Sequence, residues 1–175
     1  LITAIDEAPV NIKGISSRLH YRDMIIVAIS ISKESMGRCF LAAKKDSWIY
    51  MQDANVPFGR IQILNNWSPF MFRKQGDILL ELEYFCNKDD DLWKKSDEQF
   101  VEESLEALIG CGICNPHTTI SSFFVKRIEK AYPVYADGYN DLSIVENWIE
   151  KIDNLRCIGR NGQHRYNNMD HAVET

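Results

Sequence analysis

Over residues 77–85 the side chains alternate. Ile78, Leu80, Leu82 and Tyr84 fall on one side, Glu81 and Glu83 on the other. Successive residues of an extended chain point to opposite faces, so this period of two marks a strand with one face on a core and one toward water. Such one-sided strands belong to antiparallel sheets, because parallel strands are buried on both faces. Residues 59–64 repeat the alternation. Residues 24–31 form a β-branched run that reads as a buried strand, and 47–51 and 120–128 read as two more. Turn-rich Asp53-Ala-Asn-Val-Pro57 and Asn65-Asn-Trp-Ser-Pro69 separate them.

Two stretches change to helical periodicity. Ser96 caps the first, and Gln99 three residues later completes a capping box. Phe100, Val101, Leu105, Leu108 and Ile109 make its apolar stripe over 97–109, and Gly110 and Gly112 supply the stop. The second covers 142–152, capped by Asp141, with Leu142, Val145, Ile149 and Ile152 facing inward. Residues 1–13, broken by Pro9, read as an irregular entry. Residues 155–158 read as a short strand that runs into a glycine-flanked loop and a helix start near 167–170. The expected fold class is α+β, a mostly antiparallel sheet with helices packed on it.

Composition narrows the partners. Of 175 residues, 45% are hydrophobic and 26% charged, the balance of a globular chain. The net charge is −5 and the basic residues form no run, which argues against nucleic acid. The longest apolar stretch, 24–31, is too short to span a bilayer. No signal peptide opens the chain, and five scattered cysteines point to reduced thiols, so the expected compartment is the cytoplasm. Cys111 and Cys114 have redox spacing, but they follow a helix and no second pair completes a zinc site. Asp89-Asp-Asp91 lacks the glycine and glutamate of a calcium loop. The first residue is Leu1, and Thr175 falls just inside a new helix; both edges read as cuts through a larger protein.

The run Gly159-Arg-Asn-Gly-Gln-His-Arg-Tyr-Asn-Asn-Met-Asp-His171 carries the chemistry. Gly159 and Gly162 allow the backbone close to a flat or phosphorylated ligand, and the following helix start offers unpaired N–H groups. Arg160 and Arg165 add positive charge. Read locally, a basic surface turn is the stronger explanation of these features. Trp48, Tyr50, Trp67, Trp93 and Trp148 are candidates for stacking on a planar ligand, although aromatics in such patterns more often pack in a core. The four histidines, His20, His117, His164 and His171, show no metal-ligand spacing.

The run resembles the closing flavin-contact motif of UDP-galactopyranose mutases and their relatives in the FAD-dependent amine-oxidase superfamily. Further marks, in order, are Leu19-His-Tyr-Arg22, Trp48-Ile-Tyr50, Gly59-Arg-Ile-Gln62, Asn66-Trp-Ser-Pro69, Glu83-Tyr-Phe-Cys86 and Lys130-Ala-Tyr-Pro133. Together they resemble a subgroup of mutase-like oxidoreductases linked to lipopolysaccharide synthesis. The resemblance implies a substrate-binding-type domain over 1–154 and the closing part of an FAD domain over 155–175. It implies FAD contacts by Gly159, Arg160, Asn168, Met169 and Asp170. It implies that Tyr166 and a sheet arginine, Arg127 or one residue earlier Lys126, hold the diphosphate of a nucleotide-sugar. The family's FAD-anchoring Gly-x-Gly-x-x-Gly loop is missing, and Gly110-Cys-Gly112 does not replace it. FAD is therefore expected in the full-length protein and not on this chain alone. Exposed apolar surface left by the missing partner domain implies a homo-oligomer. An amine-oxidase- or protoporphyrinogen-oxidase-like dehydrogenase and a non-catalytic binding module stay open beside the mutase reading.

Overall fold

The computed structural model describes residues 2–71 and 76–175. The alternating strand, β4 (Asp77–Cys86), lies between β1 (His20–Ser32) and β3 (Arg60–Ile63). The sheet has five strands in the order β2-β3-β4-β1-β5, with β2 at Trp48–Tyr50 and β5 at Ile120–Val134. Pairing is antiparallel between β2 and β3, β3 and β4, and β4 and β1. The expected class, an antiparallel sheet with helices, is the observed one.

Register sorts the side chains. Ile25, Val27, Ile29 and Ile31 of β1, Leu80, Leu82 and Tyr84 of β4, and Ile61 and Ile63 of β3 are buried in one core. Phe100 and Leu108 of α3 (Asp97–Gly110) enter the same core. The α3 capping box is present: Gln99 N–H donates to Ser96 Oγ at 3.2 Å and Ser96 N–H to Gln99 Oε1 at 2.9 Å. The helix runs through Gly110, and Gly112, at φ 74°, takes the left-handed turn beyond it. At the buried face of α3 the Ser104 hydroxyl meets the Tyr84 hydroxyl at 2.7 Å.

The chain divides into two compact units. One is Asp23–Glu129, the other combines Leu1–Arg22 with Lys130–Thr175. The sheet core belongs to the first. The second is built on a small cluster, Ile12 and Ile15 of α1 (Val10–Ser17) against Val145 and Ile149 of α4 (Leu142–Ile149).

Several local expectations are corrected. The entry is not irregular: Ile2–Ala4 forms a 3-10 turn and α1 follows Pro9, while Leu1 lies outside the described residues. Proline fits just before a helix, but Gly14 and the absent side-chain cap conceal the pattern. A second helix, α2 (Arg38–Ala43), is too short to show a period. Strand β5 continues to Val134, past Lys130 at φ 56°. α4 ends at Ile149, and Asp141 does not cap it because its carboxylate pairs with Arg18 at 2.9 Å. Residues 155–158 join no strand ladder, and the glycine-flanked loop is a single helical turn, α5 (Gly159–Gly162). The closing helix, α6, is Met169–Val173.

Candidate functional site

The segment from α5 to α6 lies in the Leu1–Arg22/Lys130–Thr175 unit, and so does the end of β5 that faces it. Gly159 has φ 69°, a backbone that disfavours any side chain, and its N–H donates to Thr175 Oγ1 at 2.9 Å. Arg160 follows, part-buried. Its Nε donates to the Asn167 carbonyl at 2.9 Å, which folds the segment back on itself. Its guanidinium carbon is 4.8 Å from the ring centroid of Tyr132 and 4.8 Å from that of Tyr166. Those two rings stack at 5.6 Å with planes 19° apart. Two sequence-predicted residues, Arg160 and Tyr166, thus meet around Tyr132, which the sequence reading quoted within Lys130-Ala-Tyr-Pro133 but gave no site role.

Three further bonds tie the segment to β5 and the residue after it. Tyr166 N–H donates to Tyr135 Oη at 2.7 Å, Asn161 Nδ2 donates to the Lys130 carbonyl at 2.9 Å, and His164 Nε2 lies 3.2 Å from the Val134 carbonyl. His164 is 1% exposed and left-handed at φ 49°. The remaining predicted residues sit outside this cluster's ring contacts. Asn168 N–H donates to His171 Nδ1 at 3.3 Å, Asp170 is exposed, and Met169 is 85% exposed. The same unit holds a cleft of about 710 Å³ with an apolar side from Leu142, Val145 and Ile149 and a polar side from Lys130, Asn161 and His164.

Arg127, the expected diphosphate grip, belongs to the Asp23–Glu129 unit. There its Nη1 donates to Asp97 Oδ1 at 2.7 Å, and its other nitrogens donate to the carbonyls of Trp93 and Lys95. Lys126 is exposed.

A second polar cluster in that unit had only a faint sequence signal. The sheet face turned away from the core carries Trp48 and Tyr50 of β2 opposite Gln62 and Arg60 of β3, which lie opposite Glu81 and Glu83 of β4. Arg60 and Glu83 form a buried ion pair, with Arg60 Nε donating at 2.9 Å and Nη2 donating to the same oxygen. Gln62 Nε2 donates to Glu81 at 2.9 Å and to Glu83 at 2.6 Å. The Trp48 ring lies 4.8 Å and the Tyr50 ring 5.7 Å from the guanidinium carbon. Burial, then the neighbouring Glu83 charge, raise the Glu81 pKa, with Arg60 pulling against them. Alternation had marked Glu83 as solvent-facing; a charged pair directly across two strands was the clue to its burial.

Among the described residues, no His, Cys, Asp and Glu group could hold a metal ion, and no helix is long and apolar enough to cross a membrane.

No family model matches the chain, and no curated protein matches it in sequence. Solved structures do match it in shape. A reduced UDP-galactopyranose mutase superposes with a TM-score of 0.76 over 98% of this chain at 22% identity. The chain shares that fold. A protein from Exiguobacterium sp. 255-15 that carries the name protoporphyrinogen oxidase gives a TM-score of 0.60 over 82% of the chain at 15% identity. The chain spans about a third of the length of each, 35% and 31%. At such identities the likeness speaks for the fold and not for the reaction.

Proposed function

We propose that this chain is part of a flavin-dependent enzyme resembling UDP-galactopyranose mutase, acting on a nucleotide-sugar in lipopolysaccharide or cell-surface polysaccharide synthesis. The observation that carries the reading is the Tyr132–Arg160–Tyr166 cluster, on a chain that shares the mutase fold over nearly its whole length. The Tyr166 phenol and the Arg160 guanidinium offer donors of the kind that a diphosphate accepts.

The flavin edge of FAD fits the neighbouring residues. Gly159 leaves room for a flat ring, since a Cβ there would find nothing nearer than Ala172 at 4.0 Å. Among the described residues only Nε of Arg160 is hydrogen-bonded, so its terminal nitrogens remain donors for a carbonyl edge. In this reading Gly159, Arg160, Asn168, Met169 and Asp170 hold that edge, and the pyrophosphate belongs to a Gly-x-Gly-x-x-Gly unit outside these residues. When bound and reduced, the flavin supplies electron density at N5 for attack on the sugar's anomeric carbon. Tyr166 grips the diphosphate in this reading, and a role for Arg127 there is carried by the family resemblance alone. The same reading makes the protein cytoplasmic and self-associating as a twofold dimer, for which the exposed Ile158 and Val173 provide apolar surface.

Titrating UDP into the full-length protein, which carries the FAD-anchoring unit in this reading, tests the proposal. Binding is expected, and Tyr166→Ala should weaken it by about 1.5–3 kcal/mol, the scale of a hydrogen bond to a charged group. Arg127→Ala should weaken it comparably with flavin content unchanged. Since Arg127 also holds Asp97, its melting temperature must be read alongside. Flavin binding without UDP binding would favour the dehydrogenase reading instead. Binding of neither would leave an assembly module.

A further inference from the structure

We infer that His164 is a positioning residue, whose imidazole, bonded to the Val134 carbonyl, sets the stack of Tyr132, Arg160 and Tyr166. The inference stands on geometry within one unit; only its bearing on ligand binding rests on the nucleotide-sugar reading.

A left-handed backbone costs a side-chain-bearing residue about 1–2 kcal/mol, so its surroundings must hold it there. Histidine is also an uncommon choice for a site 1% exposed. The ring is wedged edge-on against Tyr21 at 4.8 Å, with Tyr139 at 6.1 Å. A carbonyl only accepts, so Nε2 must carry the proton it donates to Val134. Nδ1 is buried and bonds to nothing among the described residues, which leaves Nε2 as the ring's one hydrogen-bonded fastening.

That fastening lands where it matters. Val134 is two residues beyond Tyr132 on β5, and His164 is two residues before Tyr166. One bond therefore fixes the spacing between the two strands of chain that bring the rings together. The neighbouring bond, from Tyr166 N–H to the Tyr135 hydroxyl, involves two exposed residues and competes with water. The His164 bond is part-buried, with the residue 1% exposed, and is the less open of the two to water.

Two substitutions separate the bond from the backbone shape. Asparagine tolerates the left-handed region well but is too short to reach Val134. Glutamine places an amide N–H near the Nε2 position on a backbone no more tolerant than histidine's. The readout is the Nε–H resonance of Arg160 in a proton–nitrogen spectrum, assigned with Arg160→Lys and displaced by the ring currents of both tyrosines. The displacement should vanish in His164→Ala and His164→Asn and persist in His164→Gln. In a parallel titration with inorganic pyrophosphate, Ala and Asn should lose about tenfold in affinity, or 1.4 kcal/mol, and Gln about twofold or less. Rescue by Asn instead of Gln would overturn the inference, because conformation rather than the bond would then set the stack. So would an undisturbed Arg160 resonance in His164→Ala. If His164→Ala unfolds, the Asn and Gln pair still decides. If wild type shows the displaced resonance but ignores pyrophosphate, the positioning role holds and the nucleotide-sugar reading falls.

Discussion

The two units treat their polar groups in opposite ways. In Asp23–Glu129 the buried charges Arg60 and Glu83 hold each other, Gln62 bridges Glu83 to Glu81, and the Tyr84 hydroxyl meets Ser104. In the Leu1–Arg22/Lys130–Thr175 unit the buried Ser16 Oγ and His164 Nδ1 find no partner among the described residues. The two side-chain-bearing residues with positive φ among the described residues, Lys130 and His164, are there too. Strain and unmet hydrogen bonds collect in the unit that holds Arg160 and Tyr166, whereas among the described residues the sheet unit satisfies the side chains it buries. A unit whose segment breaks local rules, in a chain whose other unit obeys them, is where a functional site is expected.

The largest test of this contrast is Glu83→Ala. It removes the carboxylate that two nitrogens of the buried Arg60 guanidinium bond to, which should cost about 3–5 kcal/mol in denaturant unfolding. Replacing both partners, as Arg60→Met with Glu83→Leu, should recover most of that loss, because the pair satisfies burial more than it adds stability. If the double variant is as weak as the single one, the pair is more than a satisfied burial. Leu82→Ala comes next. Leu82 is fully buried at the centre of β4, and its loss should cost about 2–5 kcal/mol. Hydrogen exchange should then show faster opening throughout β1, β3 and β4. Fast exchange confined to 159–171 would mean that the sheet is not the stable scaffold described above.

How far the sequence showed this depended on length and period. The β4 alternation and the α3 capping box were legible because each spans enough residues for its spacing to be unambiguous. α1 and α2 were not, being eight and six residues long, the one lacking a side-chain cap and the other a period. Residues 155–158 read as a strand from their β-branched and apolar types, yet a strand needs a neighbour that composition cannot supply. At the site, glycines and charge pointed to the right segment and brought out Arg160 and Tyr166. The roles of Tyr132 and His164 stayed hidden, although both fall in quoted motifs, because they depend on pairing between β5 and a segment some thirty residues later.

Gly159→Ala probes the other side of the contrast. With φ 69° the added methyl is strained even though there is room for it, so the cost should be about 1–2 kcal/mol. Because the sheet core lies in the other unit, hydrogen exchange should accelerate around α5 and α6 and remain unchanged in β1 and β4. Acceleration in both places would mean that the two units do not hold their stability separately.

The smallest effect, and the one with a pH signature, is Glu81→Gln. Burial and the nearby Glu83 charge lift the Glu81 carboxyl above its ordinary value of 4.5, with Arg60 opposing. A carboxyl whose pKa is raised by folding favours the folded state while it is protonated. That contribution is complete below the ordinary carboxylate range and is lost as the pH rises through the raised value. At neutral pH the ionised Glu81 therefore works against the fold. Glutamine keeps the oxygen that accepts from Gln62 at 2.9 Å and removes the charge. The variant should be more stable than wild type near neutral pH, by on the order of 0.5 kcal/mol, the scale of substitutions outside the core. The gap should close as the pH falls below the carboxylate range, where both side chains are neutral. Paired denaturation curves across that range give the answer. A variant weaker than wild type at neutral pH would show that Arg60 relies on the Glu81 charge as well as on Glu83, and that the sheet unit's polar face holds a charge network in place of one ion pair.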